Sequence, residues 1–252
     1  FPLLTTSILC VSERTIDITV HEVLEGGFLK ELHKASGNDM GGQTVDRKFR
    51  EFLRDIFSPE IWDEYEEKYP SDVQRIIYDF TLFKRKDEDM EIICPLNLGR
   101  MAEKKQDMEK YFKRVQGASY DDGVIKISKQ KLRSFFEESL WSITMSLRGI
   151  FDKTHSIKYI LLVGGFAESQ ILRRYITDAF IDNCKVLCPF RPQEAILKGA
   201  VEFARNQGAV ASRKSAYTYG VGLSEELDKF KHGTESPEVT KRKNQIIGLL
   251  QI

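Results

Sequence analysis

Apolar positions in the first part of the chain switch from a period of two to a period near 3.6. From Thr15 to Val23, Ile16, Ile18 and Val20 alternate with Asp17, Thr19 and His21, which predicts a half-buried strand. Gly26-Gly27 turns the chain, and the stretch from Phe28 to Ala35 is expected to pair back as a hairpin. After Gly41-Gly42, the spacing of Val45, Phe49, Phe52, Leu53 and Ile56 predicts a helix over 44–57. Ser58-Pro59-Glu60 reads as the next helix start, because proline fits a first turn.

Residues 60–114 are charge-dense and read as mainly helical, with Trp62, Tyr65, Tyr69, Tyr78, Phe80 and Phe83 as the buried stripe. The mixed run KRKDEDME at 84–91 reads as a solvated turn. Asp121-Asp122-Gly123 marks a turn before a short strand at 124–127, and a long helix follows over 128–151. Leu132, Phe136, Leu140, Ile143, Leu147 and Ile150 form its apolar face. Tyr159 to Val163 is a continuous apolar run, the pattern of a strand covered on both faces, and it ends in Gly164-Gly165. A helix over 168–180 is expected to turn Ile171, Leu172, Tyr175, Ile176 and Ala179 inward. A strand at 184–188 and a helix at 192–206 complete the series. Strand, helix, strand, helix is the order of an α/β layer. Beyond Asn206 the signal fades: Tyr217 to Leu223 reads as a strand and the tail from Lys229 as weakly ordered. The opening FPLLTTSILCV is apolar but has no basic segment, cleavage site or initiator Met, and reads as a leading edge rather than a signal peptide.

Charge changes the picture by exclusion. Lys plus Arg and Asp plus Glu are equal at 38 each, so no bulk field favours nucleic acid or an anionic membrane as partner. No run approaches the roughly 18 apolar residues of a membrane-crossing helix. Cys10, Cys94, Cys184 and Cys188 are too few for a disulfide framework. Cys184 and Cys188 share one face of their strand, but zinc would need further thiol or imidazole ligands. His21, His33, His155 and His232 form no pair at ligand spacing. Buried, reduced thiols and a cytoplasmic location are the expectation.

Three stretches in order resemble the Hsp70 superfamily, and within it the heat shock 70 kDa protein 12 branch. They are TIDITVHEV with LKELHKASG, then NDMGGQTVDRKF, then YILLVGGFAESQILRRYITDAF continuing through CKVLCPFRPQEAILKGAVEFARN. VGGFAES, ILKGAV and the later YTYGVG carry the branch. VGGFAES and ILKGAV also speak against a sugar kinase of the same superfold. The resemblance implies a ribonuclease-H-like, actin-like ATPase lobe over 15–206, the second lobe of the Hsp70 nucleotide-binding domain. It would carry a mainly helical insertion at about 58–128 and end in a connecting helix at 192–206. Residues 1–14 are then an unmatched leader and 207–252 a truncated C-terminal extension.

The same resemblance implies ATP or ADP with Mg2+ as ligands and assigns residues to them. Gly164 and Gly165 match the adenosine motif, where glycines let backbone meet nucleotide. Phe166 follows where ordinary members carry Ser, and it reads either as a nucleotide neighbour or as core. Gly41 and Gly42 match the turn near ribose and phosphates. Lys84 and Arg85 resemble the basic pair on the adenine-ribose unit, with a solvated surface as the other reading. Asp17 resembles a metal-shell position acting through water, or is an ordinary polar-face residue.

No catalytic residue is assigned. The family's second phosphate loop, Asp-x-Gly-Gly-Gly-Thr, is Cys10-Val11-Ser12-Glu13-Arg14-Thr15 in this chain, without the glycines that let backbone N–H groups wrap phosphate. Two functions follow. One is an Hsp70-12-like, ATP-binding, chaperone-related protein that does not hydrolyse ATP as this isolated chain. The other is a non-catalytic interaction module that binds protein partners.

Overall fold

The alternation of Ile16, Ile18 and Val20 is realised as a strand in which each of the three is wholly buried in the core. The computed structural model describes residues 4–104, 107–154, 157–215, 220–226, 240–242 and 245–251. They fall into two units, 1–213 and 214–252. The first is built on a six-stranded mixed sheet of order β8-β7-β1-β2-β3-β9. Its strands are β1 (Leu4–Val11), β2 (Ile16–Val23), β3 (Leu29–Asn38), β7 (Tyr159–Val163), β8 (Lys185–Leu187) and β9 (Val210–Ser212). Strands β1, β2 and β3 are antiparallel neighbours, while β7 runs parallel to both β1 and β8.

β1 changes the account of the first fourteen residues. Expected as a leader unmatched by the resemblance, they include β1, which pairs with β2 from Leu4↔Val23 to Val11↔Ile16 and with β7 from Thr6↔Tyr159 to Cys10↔Val163. The apolar opening is therefore a strand with neighbours on both edges. The hairpin partner β3 also runs three residues further than 28–35 predicts, and its pairing with β2 is irregular on either side of Val20.

Helix α1 (Gly42–Phe57) buries Val45, Phe49, Phe52, Leu53, Ile56 and Phe57, as its spacing predicts. α2 (Pro59–Lys68) and α3 (Pro70–Phe83) follow, and Phe49 stacks on Phe80 with ring centres 4.0 Å apart. The charge-dense region also holds a strand, β4 (Met90–Ile93), which with β5 (Ala118–Asp121) and the expected β6 (Val124–Ile127) forms a three-stranded antiparallel sheet beside α4 (Leu96–Glu103) and α5 (Met108–Phe112).

The long helix expected over 128–151 is two. α6 (Lys129–Ser134), capped by the Ser128 hydroxyl, ends before α7 (Glu137–Phe151) begins. Between them Phe135 and Phe136 donate to carbonyls three residues back, a tightened turn that buries both rings. No residue is inserted, so the predicted apolar face survives the break and all six of its members are buried. On β7, Ile160 and Leu162 are wholly buried but Tyr159 and Leu161 only partly, so one face is less covered than the apolar run implies.

α8 (Gln170–Phe180) buries Ile171, Leu172 and Ile176, whereas Tyr175, expected on the inner face, is exposed. α9 (Pro192–Arg205) buries only Pro192. The second unit is an antiparallel sheet of β10 (Gly220–Glu226), β12 (Gln245–Gln251) and β11 (Thr240–Arg242). Residues 217–219 of the strand expected at 217–223 lie outside the described residues. β11 and β12 fall in the tail that the sequence reads as weakly ordered. Among the described residues no helix is long and apolar enough to cross a membrane.

Candidate functional site

The loop that joins β1 to β2 is a tight turn made by serine chemistry instead of glycine. Ser12 N–H donates to the Thr15 carbonyl at 2.9 Å, and the Ser12 hydroxyl accepts from the backbone N–H groups of Arg14 (3.2 Å) and Thr15 (2.9 Å). None of Ser12, Glu13 and Arg14 has a positive φ. The loop thus takes a path open to any side chain.

Its carbonyls point at the start of α1. Gly41 N–H donates to Arg14 O (3.3 Å), Gly42 N–H to Ser12 O (3.2 Å) and Gln43 N–H to Glu13 O (2.6 Å). The helix has no side-chain cap, so these carbonyls satisfy donors that an anion would otherwise use. The approach demands glycine at 41, where a Cβ would lie 2.6 Å from Ser12 O; at Gly42 a Cβ would meet the Glu13 carboxylate and the Lys84 ammonium, the ends of side chains that can give way.

Lys84 comes from the turn after α3, expected to be solvated, but its side chain is only 4% exposed. Its ammonium sits 2.9 Å from Glu13 Oε2, 2.8 and 2.9 Å from the two Asp46 oxygens and 3.2 Å from Gly42 O. All three N–H donors have acceptors, which makes the burial tolerable. Burial is the larger influence on Asp46 and holds its carboxyl above the ordinary value, with the Lys84 ammonium opposing it. Arg85 differs from its neighbour: its side chain is exposed and pairs with Glu168 at 2.9 Å. The 84–87 turn is fastened to the start of α8. Ser169 donates its hydroxyl to Lys84 O, Gln170 N–H donates to Arg85 O, and Asp87 N–H donates to Gln170 Oε1.

Gly164 and Gly165 end β7 and have different surroundings. Gly164 has φ +99°, its N–H donates to Pro192 O at 3.0 Å, and it presses on the Val11 backbone. Gly165 has ordinary helical angles and open space. The nearest atoms to a Cβ there would be Glu13 Oε1 at 3.7 Å and the Gln193 side chain at 4.0 Å. Phe166 is 2% exposed and stacks on Phe136, so its ring belongs to the core.

Gly41, Gly42, Lys84 and Gly165 are therefore gathered around Glu13, with Arg85 next in the chain. Asp46, Glu168 and Gln193 join them without having been singled out in the sequence. Asp46, one turn into a helix that opens on Gly-Gly, was the available signal for a partner to a buried lysine. Asp17 stands apart on β2, exposed, accepting from the Thr15 hydroxyl at 3.1 Å. Among the described residues no three His, Cys, Asp or Glu side chains make a metal-binding group. The four cysteines are free, and burial raises the thiols of Cys184 and Cys188.

No family model matches the chain. It is 30% identical over 247 residues to heat shock 70 kDa protein 12A of Homo sapiens and of Mus musculus, and 29% identical over 240 residues to heat shock 70 kDa protein 12B of Homo sapiens. Each match covers 89% of this chain but only 35%, 35% and 34% of the relative, so the chain spans about a third of the length of the curated relatives it matches. The resemblance to the heat shock 70 kDa protein 12 branch of the Hsp70 superfamily, carried in the sequence by a few glycine-centred motifs, thus extends over 89% of the chain.

Proposed function

We propose that this chain is an Hsp70-12-like, actin-type ATPase lobe with a nucleotide-facing cleft that does not hydrolyse ATP on its own. The observation that carries the reading is the meeting of four separate segments, at Glu13, Gly42, Lys84 and Gly165, at one end of the sheet. The strand order β3-β2-β1-β7-β8, with the first three antiparallel and the rest parallel, supports a ribonuclease-H-like lobe. Phosphoryl transfer depends on cations placed against developing charge. Lys84 and Arg85 are both committed to carboxylates of the chain itself, which argues against hydrolysis by these residues.

The test is calorimetric titration of adenosine, and of ADP and ATP with Mg2+, into the purified chain and into Gly165→Trp. An indole at Gly165 would fill the space that the glycine leaves open. Measurable binding by the chain and at least a tenfold loss in the variant, with its melting temperature unchanged, is the expected result. A well-folded chain that takes up no adenine ligand at millimolar concentration would overturn the reading.

One feature favours protein binding as a second role. Phe190 is 88% exposed, and Leu197 (67%) and Val201 (61%) lie one turn apart on α9. Leu197→Glu with Val201→Glu should at least halve the fluorescence of an apolar-surface dye bound to the chain. An unchanged signal removes α9 as the basis of that role.

A further inference from the structure

We infer that Glu13 and Lys84 close the phosphate end of the cleft, so that it takes an uncharged nucleoside in preference to a nucleoside phosphate. The inference rests on the nucleotide-facing reading above and specifies its ligand. Glu13 is half exposed, and one of its oxygens binds Lys84 while the other faces the open position at Gly165. A ligand lying on Gly165 therefore meets a carboxylate at van der Waals distance. A phosphate brought against that carboxylate finds like charge, and the two cations that the sequence resemblance assigns to the nucleotide are held elsewhere: Lys84 by Glu13 and Asp46, and Arg85 by Glu168. The donors of Gly41, Gly42 and Gln43 are spent too, on the carbonyls of the 12–14 loop. A nucleoside fares differently, because its sugar hydroxyls can donate to the carboxylate in a charge-assisted hydrogen bond. The same side chain thus favours one ligand and repels the other, which is how a site discriminates without a larger pocket. Lys84, fixed by Asp46 and Gly42 O, keeps Glu13 from turning away.

The experiment titrates adenosine and ADP into the full chain, Glu13→Gln and Glu13→Gly, with thermal melting to follow the fold of each. Glu13→Gln retains size and an acceptor for Lys84 while removing charge, so a poorly folding glycine variant would not spoil the comparison. The wild-type chain should bind adenosine at least tenfold more tightly than ADP. Each variant should gain at least tenfold for ADP, while adenosine should weaken, at least about threefold in Glu13→Gly, which leaves the sugar hydroxyls no acceptor, and less in Glu13→Gln, which keeps a neutral one. Equal wild-type affinities, or ADP binding that ignores Glu13→Gln, would overturn the assignment of Glu13 and leave the cleft standing. Failure of both ligands to bind any of the three proteins would strike down the nucleotide-facing reading, and this inference with it.

Discussion

Replacing Lys84 by methionine is expected to destabilise the first unit by about 3 kcal/mol at pH 7, more than any other single side-chain truncation around the cleft. Removing one partner of a buried ion pair is costly because the other charge is left behind. Asp46 would be that charge. It is largely buried, and with Lys84 gone only Arg50 still favours its ionised form. The effect has a pH signature. The Asp46 carboxyl is already raised from its ordinary 3.8. A folded-state carboxyl raised in this way contributes stability that is full below 3.8 and lost as pH rises through the folded value. Lys84→Met raises it further, so the deficit against wild type should shrink as pH falls from 7 towards 4. Adding Asp46→Asn should restore most of the loss at pH 7. Urea unfolding of wild type, Lys84→Met, Asp46→Asn and the double variant at several pH values makes the check. A Lys84→Met deficit below about 1 kcal/mol, or one that does not change with pH, would show that the triad contributes little.

That triad also marks the limit of what the sequence discloses. Strand β2, helix α1 and helix α8 were legible because each shows its own period over eight to sixteen residues, and strand β7 because it is an unbroken apolar run; burial follows at Ile16, Ile18, Phe49, Leu53, Ile160 and Ile171. The glycine pairs at 41–42 and 164–165 were legible because glycine that ends a strand or opens a helix punctuates the sequence, although at Gly165 the backbone itself makes no demand for it. Lys84 was not. Its partners stand 38 and 71 residues away, and a mixed charge run carries no local sign of which member turns inward. β1 was hidden for a related reason. An apolar opening of eleven residues suits a leader or a strand, and only its pairing with β2 and with β7, some 150 residues on, decides between them. The break between α6 and α7 left no trace, because a tightened turn without inserted residues preserves the helical period.

Gly164→Ala is expected to cost about 4 kcal/mol, and Gly165→Ala almost nothing, although the two positions are neighbours in one motif. At Gly164 two penalties act together. φ of +99° is a conformation that L side chains rarely adopt, worth roughly 1–3 kcal/mol. The added Cβ would also be driven into the carbonyl of Val11 at the end of β1, and relieving such an overlap costs roughly 1–3 kcal/mol more. The strain cannot be released by simple rotation, since Gly164 N–H is tied to Pro192 O where α9 begins. At Gly165, φ −63° and ψ −39° suit alanine, and no atom lies within 3.7 Å of its Cβ. A narrower unfolded ensemble should leave Gly165→Ala within about 0.5 kcal/mol of wild type or slightly more stable. Chemical denaturation of both variants separates the duties of the pair. The expected split means that Gly164 holds β7 against β1, and that Gly165, free of any structural role, is the glycine left for a ligand. Equal losses at the two sites would mean that Gly165 is also required by the fold, and its openness would then say nothing about ligands.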